Sequence, residues 1–487
     1  MVGITSFGAY IPKLRLARKS ILEANAWGNA ALRAHGKGER SMCNWDEDRV
    51  TMAVAAARDA LRGRKRESLG SVFLASTTLP FLDRQNAGIL AAALNLSADI
   101  GTMDITSSQK AGTSGLIAAL DVVKGRGDGQ MLFAASERRR ARASSVQEMR
   151  FGDGAVALVL GQDQVVAEFL GAHSRSVDFL DHFRGEGRDF DYSWEERWIR
   201  DEGYMKIVPP TVEAALKKTK LKAKDVKFLL MPCMFPAVPR GLAKQLGFAE
   251  ESVRDNLGEV CGETGVAHPL LMLVAALQEA APGDKLMVVG FGNGCDVLLF
   301  EATDALKKLS APKGVKGALQ NRREETNYNK FLTFNHLVEK EFGIRAEVDI
   351  PAPLTALYRK REMVLGMVGG KCSACGTPQF PKTEVCVNPE CNKTGTQTEL
   401  NFADRSAKVM SWSADYLTFT LDPPGHYGMV EFDEGGRFMA DFTDFGVGEV
   451  EVGMPVEMVF RIKSFDERRG FRRYFWKAAP LSDKTAN

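Results

Sequence analysis

The alternation of apolar and polar stretches along residues 1–302 predicts two successive runs of strands and helices. In the first run, short apolar segments rich in Val, Leu and Phe predict buried strands. Alanine-rich stretches predict helices, and the helix predicted at 46–61 carries acids in its first turn. The predicted strands are 1–12, 71–75, 101–105, 131–136 and a hairpin of 155–161 with 165–174, and the predicted helices are 46–61, 86–96 and 112–124.

The same order of elements recurs in the second run. The predicted helices there are 212–218, 240–246 and 269–280, and the predicted strands are 226–231, 285–290 and 295–301. Two successive α/β units that each end in strands indicate an α/β protein with a duplicated, layered fold. Periodicity alone does not separate this fold from other α/β folds.

The composition changes after residue 302 and predicts three further regions. Residues 303–365 are charged and poor in apolar residues at their start, which is typical of a linker with helices. Residues 366–400 contain a cysteine cluster, and 401–487 contain short alternating segments that predict a small closed barrel of the OB type. The five predicted barrel strands are 407–416, 427–432, 437–442, 454–462 and 473–478.

Four of the eight cysteines lie close together as two pairs across a short loop. Four thiolates at this spacing can close tetrahedrally on Zn²⁺, and they leave no open coordination position. We therefore expect a structural zinc site and not a catalytic one, and the spacing disfavours a chance cluster of free thiols. The predicted ligands are Cys372, Cys375, Cys386 and Cys391.

The net charge and the lack of apolar targeting segments argue against several classes of protein. The net charge of +2 argues against a general nucleic-acid binder. The basic run at 138–142 is either solvated surface or a phosphate-binding patch, for example for coenzyme A. No apolar run approaches the roughly 20 residues that span a bilayer, and the N-terminus lacks a signal core. With the remaining cysteines scattered, we expect a cytoplasmic protein without nucleic-acid or membrane partners.

The segment Asp104-Ile-Thr-Ser-Ser-Gln-Lys-Ala-Gly-Thr113 resembles the active-site segment of archaeal-type 3-hydroxy-3-methylglutaryl-CoA (HMG-CoA) synthases, which belong to the thiolase superfamily. FGDGAVALVLG at 151–161 and PRGLAKQLGF at 239–248 also resemble that family, and the matches span residues 1–302. The ribbon and barrel resemble the zinc-ribbon/OB-fold proteins that accompany thiolase-like enzymes. The resemblance implies a duplicated thiolase-like fold, a CoA thioester substrate, and a homodimer or larger assembly that can include a thiolase-like partner.

The residues that carry catalysis in the family are missing here. The family places a nucleophilic cysteine where this chain has Gln109, and a carboxamide cannot form a thioester. Residues 231–236 contain no histidine where the family's catalytic histidine is expected, and 76–78 contain no carboxylate where its acid is expected. The family's asparagine falls in the segment that contains Glu263. Acyl transfer through a cysteine is therefore not expected.

Related thiolase-like enzymes without the cysteine are aldolases that cleave a β-hydroxyacyl-CoA, and some work with a zinc-ribbon/OB-fold partner. The resemblance thus implies a retro-aldol enzyme, which needs a base and donors for the thioester enolate but no covalent intermediate. One alternative is a Claisen-type condensing acyltransferase that uses Cys233 or Cys261 as its nucleophile. The other is a non-catalytic acyl-CoA-binding scaffold that supports a thiolase.

The resemblance and the reactions that it implies point to candidate site residues. Most of these residues can instead have a purely structural role. Gln109 can donate its amide to a thioester oxygen, and Glu263 can act as a base or bond backbone N–H groups. His268, Tyr204 and Cys233 are further catalytic candidates, with Tyr204 at the end of a stretch that can form a lid. The predicted substrate contacts are Lys110, Gly112 and Thr113 at the helix start after Gln109, and Gly292, Asn293 and Gly294 in a late glycine-rich loop.

Overall fold

The computed structural model describes residues 1–126, 129–309, 312–342 and 350–481. They form two compact units. Unit 1 contains residues 1–43, 52–88 and 97–337, and unit 2 contains residues 44–51, 89–96 and 338–487. Parts of the predicted linker (310–311 and 343–349) and of the predicted barrel domain (482–487) lie outside the described residues.

Strands and helices alternate along the N-terminal region as predicted. Its strands are β1 (Gly3–Tyr10), β2 (Leu14–Ala17), β3 (Glu39–Met42), β4 (Leu69–Ala75), β5 (Gly101–Ile105), β6 (Gln130–Arg138), β7 (Asp153–Gly161), β8 (Ala167–Ser176), β9 (His182–Phe183), β10 (Tyr192–Ser193), β11 (Val226–Leu230), β12 (Lys285–Phe291), β13 (Gly294–Ala302) and β14 (Arg323–Glu325). Its helices are α1 (Arg18–Asn25), α2 (Arg49–Ala60), α3 (Asn86–Ala93), α4 (Ala111–Arg126), α5 (Val146–Arg150), α6 (Glu196–Trp198) with a π-helical turn (Ile199–Tyr204), α7 (Met205–Thr219), α8 (Ala237–Leu246), α9 (His268–Leu277), α10 (Gly314–Gln320) and α11 (Tyr328–Phe334).

A nine-stranded sheet with the order β11-β12-β13-β8-β1-β7-β6-β4-β5 forms the centre of unit 1. From the middle outwards, β1-β7-β6-β4 and β8-β13-β12-β11 repeat the same pairing, which is antiparallel, antiparallel and then parallel. This repetition confirms the predicted duplicated α/β fold. β5 is an edge strand that pairs with β4.

The predicted hairpin of 155–161 with 165–174 is wrong, although both strands exist. β7 pairs with β1 and β6, and β8 pairs with β1 and β13, so that β1 lies between them. Every residue of β7 is buried. A strand that is buried on both faces lies inside a sheet with partners on both sides, and the pattern of a single segment does not identify those partners.

Helices α4 and α9 contact each other and contact strands of both halves of the sheet. Almost all of α9 is buried, as expected for a helix that is apolar on every side. At Gly112 a β-carbon would lie 2.0 Å from the carbonyl oxygen of Val266, so only glycine permits this approach. Among the described residues, no helix is long and apolar enough to span a membrane.

The first part of the predicted linker is an ordered part of unit 1. Residues up to 337 belong to this unit, and β14 pairs in parallel with β2. The side chains of Val315, Phe331 and Phe334 are buried. These few buried apolar residues hold the stretch on the rest of unit 1. Because apolar residues are sparse among the charged ones, the sequence of this stretch resembled that of a linker.

Unit 2 contains the ribbon, the barrel and two short N-terminal segments. Its elements are α12 (Leu354–Arg359), α13 (Arg361–Gly366), β15 (Val368–Cys372), β16 (Pro378–Gln379), β17 (Gln397–Asn401), β18 (Ala407–Asp415), β19 (Gly425–Phe432), β20 (Arg437–Asp441), β21 (Pro455–Asp466) and β22 (Phe471–Pro480). The five predicted barrel strands are confirmed in the order β20-β19-β18-β21-β22. A bridge between Phe442 and Ala478 links the two edges of this sheet.

Buried ion pairs connect the barrel to residues 44–51 within unit 2. The Nζ atom of Lys477 lies 2.8 Å from the Oδ2 atom of Asp46, and Arg461 pairs with Glu47. All four side chains are nearly inaccessible to solvent. Removing one member of such a pair leaves an uncompensated buried charge, which is strongly destabilising.

Candidate active site

A pocket of about 290 Å³ lies in unit 1 where several loops converge on the turn before α4. The loops that follow β6 and β11 and the last residue of β12, Phe291, contribute to its wall, together with the β9–β10 hairpin. Its walls combine apolar side chains with polar ones, as in small-molecule sites. The polar side chains among its lining residues are Gln109, Arg139, Gln147, Arg150, Asp181, His182, Ser193, Glu196, Tyr204, Cys233 and Glu263.

Gln109 occupies the turn between β5 and α4, as predicted, and lines the pocket. Ser107, two residues before Gln109, has a φ of +71°, a left-handed conformation that is uncommon for a residue other than glycine. Gly292 has a φ of +150°, and a β-carbon there would lie 2.8 Å from the β-carbon of Gln109. No hydrogen bond joins the Gln109 amide to protein groups in the described ranges, so this amide can serve a bound molecule.

The loop of Gly292, Asn293 and Gly294 supports this turn through its backbone. Asn293 has a φ of +49°, and its carbonyl oxygen accepts a hydrogen bond from the N–H of Val177 at 3.3 Å. At Gly294 a β-carbon would lie 2.0 Å from the Arg175 carbonyl oxygen. Direct substrate contact by these three residues stays a prediction.

Cys233 and Tyr204 also line the pocket, and both hold their protons firmly. Burial raises the pKa of the Cys233 thiol to about 12. Burial also raises the pKa of Tyr204 well above its usual value, and its ring stacks on Phe291 at 4.1 Å. A thiol that stays protonated at neutral pH is a poor nucleophile.

Glu263 reaches the pocket with a carboxylate that already has partners. One oxygen accepts a hydrogen bond from the Gly265 N–H at 2.8 Å, and the other lies 3.5 Å from the guanidinium of Arg139. Arg139 is itself buried and pairs with Asp191. Burial lowers the pKa of Arg139, but the neighbouring carboxylates outweigh burial and raise it overall. The guanidinium therefore stays charged beside Glu263.

His268 and Cys261 do not contribute to the described lining of the pocket. The Nδ1 atom of His268 accepts a hydrogen bond from the Thr264 N–H at 3.0 Å, and its Nε2 atom lies 2.6 Å from the Asn256 carbonyl oxygen. Burial lowers the pKa of His268, and burial raises the pKa of Cys261 to about 12. These contacts give both side chains packing roles, and catalysis by His268 stays a prediction.

The predicted substrate contacts at the start of α4 also lie in packed surroundings. The Nζ atom of Lys110 lies 3.1 Å from Asp296, and the hydroxyl of Thr113 donates to the same carboxylate at 3.0 Å. Gly112 packs closely against the backbone of Val266. Lys110, Gly112 and Thr113 therefore all help to pack the start of α4 against other parts of unit 1. Contact of these side chains with a substrate stays a prediction.

The sequence predicted a lid that ends at Tyr204, but it assigned no role to Asp181 or His182 within that stretch. The β9–β10 hairpin brings Asp181 and His182 to the pocket. The adjacent Asp-His pair within an aromatic and acidic stretch was the available signal. The resemblance pointed elsewhere, because the family's own histidine is expected near 231–236.

A second cavity of about 420 Å³ borders the first and shares Gln147, Phe151 and Ser193 with it. Arg140 and Arg142 of the basic run line this cavity. Arg138 and Arg139 of the same run are buried instead, so the run is not a uniform solvated surface. The cationic lining favours an anionic group of a ligand.

The four cysteines of unit 2 form a closed metal site. Their sulfur atoms all lie within 4.8 Å of one another. The Cys375–Cys386 and Cys372–Cys391 sulfur distances are 3.5 and 3.9 Å. Tetrahedral Zn–S bonds place sulfurs about 3.8 Å apart. The four side chains therefore fit a structural zinc ion.

Three parts of the chain match described families. Residues 216–298 match the C-terminal region of 3-oxoacyl-[acyl-carrier-protein] synthase III. Residues 367–395 match the rubredoxin-like zinc ribbon domain of ChsH2, and residues 402–461 match its C-terminal OB-fold domain. These matches confirm the predicted zinc ribbon and OB-type barrel.

Solved structures share the fold of the N-terminal region. A crystal structure of HMG-CoA synthase complexed with CoA has a TM-score of 0.59 and 16% identity, covering 72% of this chain and 94% of that chain. A crystal structure of a variant of Xanthomonas campestris OleA has a TM-score of 0.55 and 20% identity, covering 62% of this chain and 96% of that chain. The duplicated sheet is thus the thiolase-like fold.

Relatives that match over nearly their own whole length show the family. Hydroxymethylglutaryl-CoA synthase of Pyrobaculum neutrophilum is 30% identical over 347 residues, which cover 69% of this chain and 98% of that protein. The synthase of Archaeoglobus fulgidus is 30% identical over 315 residues, covering 63% and 91%. The chain belongs to the hydroxymethylglutaryl-CoA synthase family, and it carries in addition a ChsH2-type zinc ribbon and OB-fold domain.

Proposed function

We propose that this protein makes or breaks a carbon–carbon bond next to a CoA thioester by an aldol-type reaction, without an acyl-enzyme intermediate. Retro-aldol cleavage of a β-hydroxyacyl-CoA is the direction that we favour. The observation that carries the proposal is Gln109 at the turn where the family has its nucleophilic cysteine, in a pocket whose described thiol, Cys233, has a pKa raised to about 12.

An aldol-type reaction matches the chemistry that the pocket offers. The thioester enolate needs hydrogen-bond donors at its oxygen, and it needs no thiolate. The Gln109 amide makes no protein hydrogen bond in the described chain and can donate to that oxygen. The arginines of the second cavity, Arg140 and Arg142, can attract the phosphate groups of coenzyme A.

The cysteine-dependent alternative meets a large barrier in this pocket. Cys233 would have to ionise although burial raises its pKa to about 12, so the thiol stays protonated at neutral pH. No cation among its described contacts lowers that pKa enough, because burial is the dominant influence. For this reason the proposed reaction is an aldol-type reaction and not an acyl transfer through a cysteine.

Product analysis with a panel of CoA esters tests the proposal. The panel contains HMG-CoA, acetoacetyl-CoA, and longer branched or aromatic β-hydroxyacyl-CoAs. We expect at least one β-hydroxyacyl-CoA to yield an aldehyde or ketone together with a shorter acyl-CoA. We also expect turnover to survive iodoacetamide treatment of the native protein.

A Gln109→Ala variant separates the pocket from contaminating activity. We expect kcat to fall about 100-fold, as for loss of one donor to an oxyanion. Ser373→Ala in unit 2 is the control, and it should behave as the wild type. Complete loss of turnover after iodoacetamide, or an acyl group bound to Cys233, would contradict the proposal. Absence of any turnover would instead favour a scaffold that needs a thiolase partner.

A further inference from the structure

We infer that His182 is the acid/base group of this pocket and that Asp181 orients it. The inference rests on the proposed function for the reaction, but its geometry comes from the hairpin alone. The sequence pattern predicted no role for this histidine, and the family's own histidine is expected elsewhere, near 231–236.

The hydrogen bond between the two side chains determines where the imidazole carries its proton. The Nδ1 atom of His182 lies 2.9 Å from the Oδ2 atom of Asp181. A carboxylate oxygen accepts this hydrogen bond, so in the neutral imidazole Nδ1 carries the hydrogen and Nε2 keeps its lone pair. The Nε2 atom is buried and has no hydrogen-bond partner among the described residues. His182 lines the pocket, so this lone pair is available to a bound molecule.

The backbone of the hairpin holds this pair in place. His182 lies opposite Ser193 in the β9–β10 pairing. The Trp194 N–H donates to the Asp181 carbonyl oxygen at 2.8 Å. The Gln147 amide donates to the Ser193 hydroxyl at 2.8 Å, which ties the hairpin to α5.

Buried charges anchor the far end of the hairpin. Asp191 lies between two arginines, Arg139 and Arg184, and the Arg184–Asp191 distance is 3.1 Å. Arg184 also donates to the Thr77 carbonyl oxygen at 2.5 Å. A catalytic group needs such support, because a misplaced base loses most of its effect.

The other titratable groups around the pocket are occupied. Cys233 and Tyr204 keep their protons because burial raises both pKa values. Glu263 is held by Arg139 and by a backbone N–H. The remaining pair, Arg150 and Glu196, lies 3.0 Å apart as an ion pair. His182 therefore offers the pocket a buried acceptor nitrogen that has no hydrogen-bond partner among the described residues.

The reaction step balances with this one group. Nε2 of His182 accepts the proton of the β-hydroxyl, the Cα–Cβ bond breaks, and its electron pair forms the thioester enolate. The β-carbon leaves as an aldehyde or ketone. The imidazolium then returns the proton to the α-carbon, which yields the shorter acyl-CoA and regenerates neutral His182.

His182→Asn is the variant that isolates the proposed role. Its side-chain N–H₂ can still donate to Asp181, but the acceptor at Nε2 is lost. We expect kcat to fall at least 100-fold, with KM within about threefold because substrate binding is retained. His173→Asn on β8, outside the pocket lining, is the matched control and should keep full activity.

Asp181→Asn tests the orienting role. We expect kcat to fall by about 10- to 100-fold at unchanged KM. ¹⁵N spectra of histidine-labelled protein should show that the hydrogen of His182 sits on Nδ1 in the wild type and that this preference is lost in the variant. A merely structural aspartate would leave the tautomer unchanged.

The outcomes separate this inference from the proposed function. If the wild type cleaves a β-hydroxyacyl-CoA and His182→Asn does so equally well, the inference is overturned and the proposed function stands. If the wild type cleaves nothing, the proposed function fails. The inference is then decided by whether acetyl-CoA shifts the His182 Nε2 resonance of the wild type: a shift supports it, and an unchanged resonance overturns it.

Discussion

The eight cysteines form two sets of four that differ in how their sulfur atoms are arranged. In the ribbon, Cys372, Cys375, Cys386 and Cys391 converge on one point. In unit 1, Cys43, Cys233, Cys261 and Cys295 are all buried and lie apart from one another along the chain. Burial raises the pKa of three of these, Cys233, Cys261 and Cys295, to about 12.

The difference shows that surroundings decide what a cysteine does. Four sulfurs that face one another make a metal site even on a small domain with little core. A sulfur surrounded by apolar side chains is a small hydrophobic group, whatever its position relative to a pocket. Cys233 lines the pocket, and its environment still argues against a nucleophile.

Loss of the zinc site gives the largest expected effect. In Cys386→Ser the ribbon should lose zinc and unfold locally, because metal binding supplies about 10–16 kcal/mol in small zinc domains. Zinc content by atomic spectrometry and hydrogen exchange of β15 and β17 measure this. Ser373→Ala, in the same ribbon, should retain zinc. Full zinc content in Cys386→Ser would break the comparison.

Alkylation rates should separate the two sets directly. After zinc is chelated, the ribbon should unfold and its thiols should react with iodoacetamide at least 100-fold faster than Cys233, Cys261 and Cys295, because burial keeps these three protonated and only a thiolate attacks. Peptide mass spectrometry at successive times gives both rates in one sample. Rapid labelling of Cys233 in the native protein would contradict the assigned environment.

The sequence predicted all four metal ligands of the ribbon but only some of the residues that line the pocket. The four ligands are local in sequence, so their spacing alone predicted the metal site. The strands were also predictable, since an apolar run such as β7 reports its own burial. The position of β1 between β7 and β8 was not, because sheet order depends on contacts between distant segments.

In the pocket, too, contacts between side chains that are distant in sequence could not be predicted. Gln109 was predictable from the resemblance, since it stands where a known residue should be. His182 was not, because its role depends on a hairpin that carries it to a loop junction distant in sequence. The partners of Glu263, which include Arg139, also come from another part of the chain.

The desolvation that keeps the unit 1 thiols protonated also acts on a buried carboxyl. Burial raises the pKa of Glu148 from 4.5 to about 7, although its hydrogen bonds with Ser144 and Tyr328 oppose the shift. Since the folded pKa lies above the unfolded one, the wild type loses stability as pH rises from about 4.5 through 7. Glu148→Gln should therefore gain roughly 3 kcal/mol relative to the wild type at pH 8–9 and little at pH 4.

Urea unfolding at both pH values measures this difference. The distant Glu301→Gln, on a partly exposed ion pair with Lys285, should show a pH dependence below about 1 kcal/mol. An equal effect of Glu148→Gln at pH 4 and pH 8 would show that burial does not control this group.

Replacement of Cys233 gives the smallest expected effect. Cys233→Ala should keep kcat within about twofold of the wild type and lower the free energy of unfolding by about 1 kcal/mol, the cost of a small buried group. Steady-state kinetics and urea unfolding measure the two quantities. If a folded variant instead turned over at least 100-fold more slowly, the nucleophile would be assigned to this thiol.

The most direct measurement follows the protein and its products together during a single turnover. Wild-type protein is mixed with a cleavable β-hydroxyacyl-CoA, quenched at millisecond to second times, and analysed by intact mass spectrometry. We predict that the aldehyde or ketone and the shorter acyl-CoA accumulate while the protein mass stays unchanged. An acyl adduct that forms and decays on a cysteine at the rate of turnover would contradict carbon–carbon bond chemistry without a covalent intermediate.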